Sequence, residues 1–128
     1  MILIIGGKAQ GKRSFVMRYY PDSVLTDGAS CTADAAMQAA CLYNYHALIA
    51  YLLEKGIDPA VFTKRLCAEN PQCKIILNEI GSGIVPLDPA ERRMRETVGI
   101  CGCILAENAD TVIRMTCGIP TVLKGELP

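Results

Sequence analysis

Residues 1–5, MILII, form an unbroken apolar run that ends in glycine. A strand buried on both faces reads this way, whereas a half-exposed strand alternates. Residues 12–19, KRSFVMRY, suit a short helix stopped by Pro21, so the chain opens as strand, glycine loop, helix. Residues 23–27, SVLTD, predict a second short strand with a carboxylate at its end, and Gly28 turns the chain. Residues 33–55 are rich in Ala, Leu and Met and predict one long helix, with Gly56 as its stop.

Asp58-Pro59 supply a cap and a first-turn proline for a further helix, which runs to about Glu69, ahead of Asn70-Pro71. Residues 74–79, KIILNE, predict a third strand that again ends in polar residues. Beyond IGSGIVPL, Asp88 can cap a helix and Glu91 can bond back to it. In that helix Ala90, Met94, Val98, Cys101 and Leu105 recur every three or four residues, leaving Arg92, Arg93 and Arg95 on the other side. Residues 111–116 and 121–124 predict two more strands around Gly118-Ile119-Pro120. Strands alternating with helices predict an α/β fold, a mostly parallel sheet covered by helices.

With 128 residues, 51% of them hydrophobic, the chain has the size and apolar content of one compact domain over residues 1–128. The 13 basic and 13 acidic residues balance, so no basic footprint points to nucleic acid as a partner. MILII is too short for a membrane span or a signal core, and no later apolar run is long enough to span, which predicts a cytoplasmic protein without a membrane partner. The seven cysteines have no paired CxxC spacing and read as small core residues, with no metal site expected. Cys101 and Cys103 are two apart in a predicted helix and point away from each other.

The chemistry begins at GGKAQGKRS, residues 6–14. Gly6, Gly7, Lys8, Ala9, Gln10, Gly11 and Lys12 reproduce a phosphate-binding loop, in which backbone N–H groups and a helix N-terminus face phosphate and the lysine contacts the outer phosphates. Where the pattern has the Ser or Thr that ligates magnesium, this chain has Arg13, and Ser14 lies one residue further round the helix. Mg2+ is therefore the cofactor that the loop puts in question, while GTP or ATP is the expected nucleotide.

Asp27, after an apolar strand, could hold magnesium through a water as a Walker B acid does, or cap the turn at Gly28. Asn78 and Glu79 end a strand beside Gly81 and Gly83, at the edge where open α/β sheets place ligands. Glu79 there is a candidate general base for an attacking hydroxyl. Arg92, Arg93 and Arg95 read as the wet face of their helix, and His46 as a structural residue among tyrosines.

The segment NEIGSGIVPLDPAERRMRETVG, followed by ADTVIRMTCGIPTVLKG and preceded by the GG-x-x-x-GK start, resembles the adenosylcobinamide kinase / adenosylcobinamide-phosphate guanylyltransferase family of cobalamin biosynthesis. The resemblance implies a RecA-like P-loop NTPase fold of three layers, a homotrimer, and two activities. One is phosphorylation of the aminopropanol hydroxyl of a corrinoid, adenosylcobinamide, by ATP or GTP. The other is GMP transfer onto that phosphate through a guanylylated histidine. It also implies that Gly6, Gly11 and Lys12 form the phosphate loop and that Asn78, Glu79, Gly81 and Gly83 form the signature loop.

The chain departs from that family at Arg13, at Ile100-Cys101-Gly102-Cys103 where the family has Arg-x-Asn-Gln, and in a shortened middle segment that normally carries the histidine. His46 lies in the wrong context to take that role. The expectation is a kinase-like phosphotransferase that has lost guanylyl transfer. Its alternative is a degenerate homologue that binds nucleotide or corrinoid in a regulatory role.

Overall fold

The computed structural model describes residues 1–80 and 88–128. Eleven elements follow one another among these residues: β1 (Ile2–Gly6), α1 (Lys12–Tyr19), β2 (Leu25–Asp27), α2 (Ala33–Met37), β3 (Cys41–Tyr43), α3 (Tyr45–Glu54), α4 (Pro59–Glu69), β4 (Lys74–Asn78), α5 (Pro89–Asn108), β5 (Thr111–Thr116) and β6 (Ile119–Lys124). The strands form one sheet in the order β2-β3-β4-β1-β5-β6. All neighbours are parallel except β5 and β6, which form an antiparallel hairpin.

The sheet is buried on both faces because the middle residues of its central strands β1 and β4 are apolar in succession. Leu3, Leu42, Ile75, Leu77 and Val112 point into a large core shared with α3, α4 and α5. Their neighbours Ile4, Cys41, Ile76, Ile113 and Met115 point the other way, onto Phe15 and Val16 of α1. Period-two alternation thus divides one apolar run between two cores, giving helix, sheet and helix as three layers.

Two helices start as the sequence predicts. Asp58 accepts from the Ala60 and Val61 N–H groups ahead of α4, and Asp88 accepts from the Ala90 N–H ahead of α5. Each is followed by a proline whose missing N–H costs nothing in a first turn. In α5, Val98, Cys101 and Leu105 are buried and Met94 packs against the core, while Ala90 is exposed.

The single helix expected over residues 33–55 is instead α2, β3 and α3. Cys41 and Leu42 are wholly buried, and the strand pairs with β2 on one side and β4 on the other. Three apolar residues between alanine-rich flanks carry no period of their own, so composition read them as helix. The break is made by Asn44, at φ 54°, a left-handed conformation that asparagine tolerates better than most residues. β6 begins two residues earlier than expected, after a turn with Cys117 at φ 51° and Gly118 at φ 76°. Two left-handed residues in succession match the twist of a tight hairpin, and Pro120 is accommodated because β6 is an edge strand.

Candidate functional site

The carboxyl ends of β1, β3 and β4 converge on the loop between β1 and α1. Gly6 leaves β1 at φ 153°, and an added Cβ there would lie 2.6 Å from the Met115 carbonyl oxygen. Ala9 (φ 58°) and Gly11 (φ 92°) are left-handed, and Gly11 precedes the first turn of α1, where the Phe15 N–H donates to its carbonyl at 3.0 Å. The β5–β6 turn holds the loop from outside. Cys117 N–H donates to Gln10 Oε1 at 2.6 Å and Gly118 N–H to the Gln10 carbonyl at 3.0 Å. A Cβ on Gly11 would stand 3.2 Å from the Gly118 Cα, so the hairpin tip packs directly on the loop.

Lys12 is only 6% exposed, and its ammonium donates to the Gly7 carbonyl. Burial lowers its pKa, and the Glu79 carboxylate partly opposes that shift. The cation is thus stored under the loop with one short-range acceptor, close to backbone N–H groups and to the positive end of α1.

A cavity of about 590 Å³ opens in front of the loop. Residues 8–14 line one wall; Tyr43, Asn44 and His46 from the end of β3 and the start of α3 line another, with Ile76 and Asn78 of β4 at its base. Its size falls in the range of small-molecule sites, roughly 300–1,000 Å³.

Of the residues singled out in the sequence, Lys8, Ala9, Gln10, Gly11, Lys12, Arg13, Ser14 and Asn78 line this cavity. Asp27 does not. Its Oδ1 accepts from the Ala29 N–H at 2.9 Å, capping the turn, and from Asn44 Nδ2 at 3.0 Å. The Asn44 amide first, then the Ala29 N–H, and to a smaller degree the Arg13 charge hold the Asp27 carboxyl below its ordinary pKa. Glu79 turns to the α5 side, where Arg114 Nη2 donates to its Oε2 at 3.0 Å and its own N–H donates to the Gly6 carbonyl at 2.9 Å. With Asn78, Val98, Gly99, Gly102 and Cys103 it lines a second, smaller cavity of about 250 Å³. Gly81 and Gly83 lie outside the described residues. Arg92, Arg93 and Arg95 are not among the residues lining the glycine-loop cavity; Arg93 lines a different one, beside the α3–α4 turn.

Four side chains here were not anticipated from the sequence. Tyr43 carries the Arg13 guanidinium over its ring, Cζ 4.4 Å from the centroid. Asn44 follows β3 at the N-cap of α3, and Arg114 pairs with Glu79. His46, expected to serve packing, lines the cavity with Nδ1 buried and without a hydrogen-bond partner among the described residues. Burial first, then the Lys12 charge, lowers its pKa and favours the neutral ring. The signal for Tyr43, Asn44 and His46 was the YNYH segment itself, hidden by its assignment to a helix interior.

A phosphate loop that works with magnesium has a hydroxyl after its lysine and an acid on a neighbouring strand. Here Arg13 holds the first position, β3 ends in Tyr43 and is followed by the amide Asn44, and one oxygen of Asp27 already accepts two hydrogen bonds. No group of three or more His, Cys, Asp or Glu converges into a metal site among the described residues. With Arg13 in place of the hydroxyl and an amide after β3, the described side chains do not fit a magnesium-held phosphate. Nor is any described helix long and apolar enough to cross a membrane.

A protein-family profile described as cobinamide kinase / cobinamide phosphate guanyltransferase matches residues 22–123 of the 128. The matched span begins after the glycine loop and α1 and includes the signature loop, α5 and the β5–β6 hairpin. No curated protein matches the chain.

Proposed function

The chain belongs to the cobinamide kinase / cobinamide phosphate guanyltransferase family, a P-loop NTPase fold, and from that premise we propose that it is a nucleotide-dependent phosphotransferase of cobalamin biosynthesis, acting as a cobinamide kinase and without guanylyl transfer through histidine. The observation that carries the reading is the buried Lys12 ammonium beneath a glycine loop that faces a cavity of about 590 Å³. A phosphate entering there meets loop N–H groups, the positive end of α1 and a lysine that can exchange the Gly7 carbonyl for a phosphate oxygen.

In this reading the substrate hydroxyl oxygen attacks the terminal phosphorus of GTP or ATP. The bond from that phosphorus to the bridging oxygen breaks, and the nucleoside diphosphate leaves. Glu79, held by Arg114 in the smaller cavity on the α5 side, receives the proton of a hydroxyl that reaches the phosphate from that cavity. Phosphoryl transfer of this kind depends mainly on positioning and on charge opposite the phosphate oxygens, which Lys12 and the loop supply. Guanylyl transfer is left out because the segment between α1 and the signature loop is short and His46 follows β3 instead of preceding it.

The test is incubation of the purified protein with GTP or ATP and adenosylcobinamide, with mass spectrometry of the corrinoid. Phosphorylated corrinoid that disappears in Lys12→Ala supports the kinase. Nucleotide binding without any transfer would support the second reading, a degenerate homologue that binds nucleotide or corrinoid without turnover. That reading is favoured specifically by Arg13 and Asn44 standing where a working kinase has a hydroxyl and an acid.

A further inference from the structure

We infer that Arg13 takes the place of the magnesium ion, so that this site binds the phosphates of a nucleoside triphosphate without a divalent metal. The inference deepens the nucleotide-binding reading and rests on it.

Arg13 follows the loop lysine on the first turn of α1, the position from which a Ser or Thr would hold the metal beside the phosphates. Its side chain is exposed and lines the same cavity as Lys12 and Ser14. The guanidinium stacks on the Tyr43 ring with Cζ 4.4 Å from the centroid. That contact leaves the N–H groups at its edge available, and those are the groups that pair with phosphate oxygens in a fork. The cation is thus positioned before a ligand arrives, lowering the ordering cost of binding.

The end of β3 is consistent with this substitution. A carboxylate there helps a metal site but would repel phosphate in a metal-free one. Asn44 is neutral, and its amide is committed to Asp27 at 3.0 Å. Asp27, at the end of the neighbouring strand β2, is drawn into a capped turn, where its Oδ1 accepts from the Ala29 N–H and from Asn44. With Lys12 common to both arrangements, Arg13 facing an amide keeps the single positive balance that a magnesium ion facing a carboxylate would give. The two departures from the usual P-loop arrangement therefore compensate each other in charge.

The experiment is calorimetric titration of the full chain with GTP, ATP and inorganic tripolyphosphate, each in EDTA and in millimolar magnesium. The wild type is expected to bind GTP or ATP with affinities that agree within about threefold between the two buffers, and Arg13→Ala to bind at least about tenfold more weakly in EDTA. Arg13→Lys, which keeps the charge but loses the fork and much of the stack, should fall between them. The double variant Arg13→Ser/Asn44→Asp should regain a requirement for magnesium. Thermal melts of every variant separate lost binding from lost folding. Binding by the wild type only with magnesium, or unchanged affinity in a folded Arg13→Ala, overturns the inference and leaves the nucleotide reading standing. Absence of binding by all three probes in both buffers overturns the nucleotide reading, and the inference with it.

Discussion

Lys12 is a cation stored at a cost, and replacing it with methionine should separate stability from function. The side chain is 6% exposed, its ammonium has the Gly7 carbonyl as acceptor, and burial lowers its pKa from the ordinary 10.5 against a partly opposing Glu79 charge. Because the folded pKa is lowered, the folded state binds this proton less well than the unfolded chain. The penalty is complete while the lysine is charged in both states and is relieved as pH rises towards 10.5. Methionine fills a similar volume without a charge to desolvate, so Lys12→Met should stabilise the ligand-free protein by on the order of 1 kcal/mol at neutral pH. For a chain of this size that is a rise in Tm of about 4 °C. The same change should weaken GTP binding by about 1.5–3 kcal/mol, the worth of a hydrogen bond to a charged group, or roughly 10- to 150-fold in Kd. Urea unfolding at pH 7.5 and at pH 9.5 measures the first effect, with the gap between variant and wild type narrowing at the higher pH. Calorimetry measures the second. A folded Lys12→Met that unfolds at lower urea than the wild type would refute the reasoning, since the Gly7 contact would then outweigh the burial cost.

Three further outcomes are expected. Gly6→Ala places a Cβ 2.6 Å from the Met115 carbonyl oxygen at a backbone φ of 153°, and should cost about 2 kcal/mol or more in urea unfolding while loosening the loop's contact with β5. Tyr45→Phe removes a hydroxyl bonded at 2.7 Å to Thr63 Oγ1, with both residues wholly buried, and should cost about 1–3 kcal/mol; adding Thr63→Val should return much of the loss. His46 has a pKa lowered from 6.5 by burial and by Lys12, so its contribution is present above pH 6.5 and lost as pH falls through the folded value; the wild type should lose more stability between pH 7.5 and pH 5 than His46→Gln does.

The order of elements was legible because most of them carry strong local signals. MILII and KIILN are too apolar for an edge position, and their register, Ile2 with Lys74 through Gly6 with Asn78, makes them the centre of the sheet. Asp58-Pro59 and Asp88-Pro89 announced α4 and α5 by capping chemistry that is local to a few residues. β3 was not legible. Its three residues are held by pairing with β2 and β4, which are distant in sequence, and its flanks favour helix when considered alone. Both ends of that supposed helix do form, as α2 and α3, so the error lies between them, in the residues from Gln38 to Asn44 that make β3 and its flanks.

That one segment also decides how much of the site could be read in advance. The loop from Gly6 to Lys12 announces itself because glycine spacing and a following lysine are a local pattern, and the strand before it places the pattern in context. The opposite wall has no such pattern. Tyr43, Asn44 and His46 meet Arg13 and Lys12 only because β3 lies beside β4, which lies beside β1, and a chain read as one helix never brings them there. With β3 missing, Asp27 is the only acid near the end of a strand ahead of β4, and it attracts the metal-binding role by default. Once β3 is in place, Asp27 sits at the end of the edge strand β2, and the strand end that reaches the cavity is Tyr43, with Asn44 directly after it. The departure at Arg13 and the amide at Asn44 then describe one electrostatic change across a single cavity. A sequence comparison position by position would have scored them as two unrelated losses.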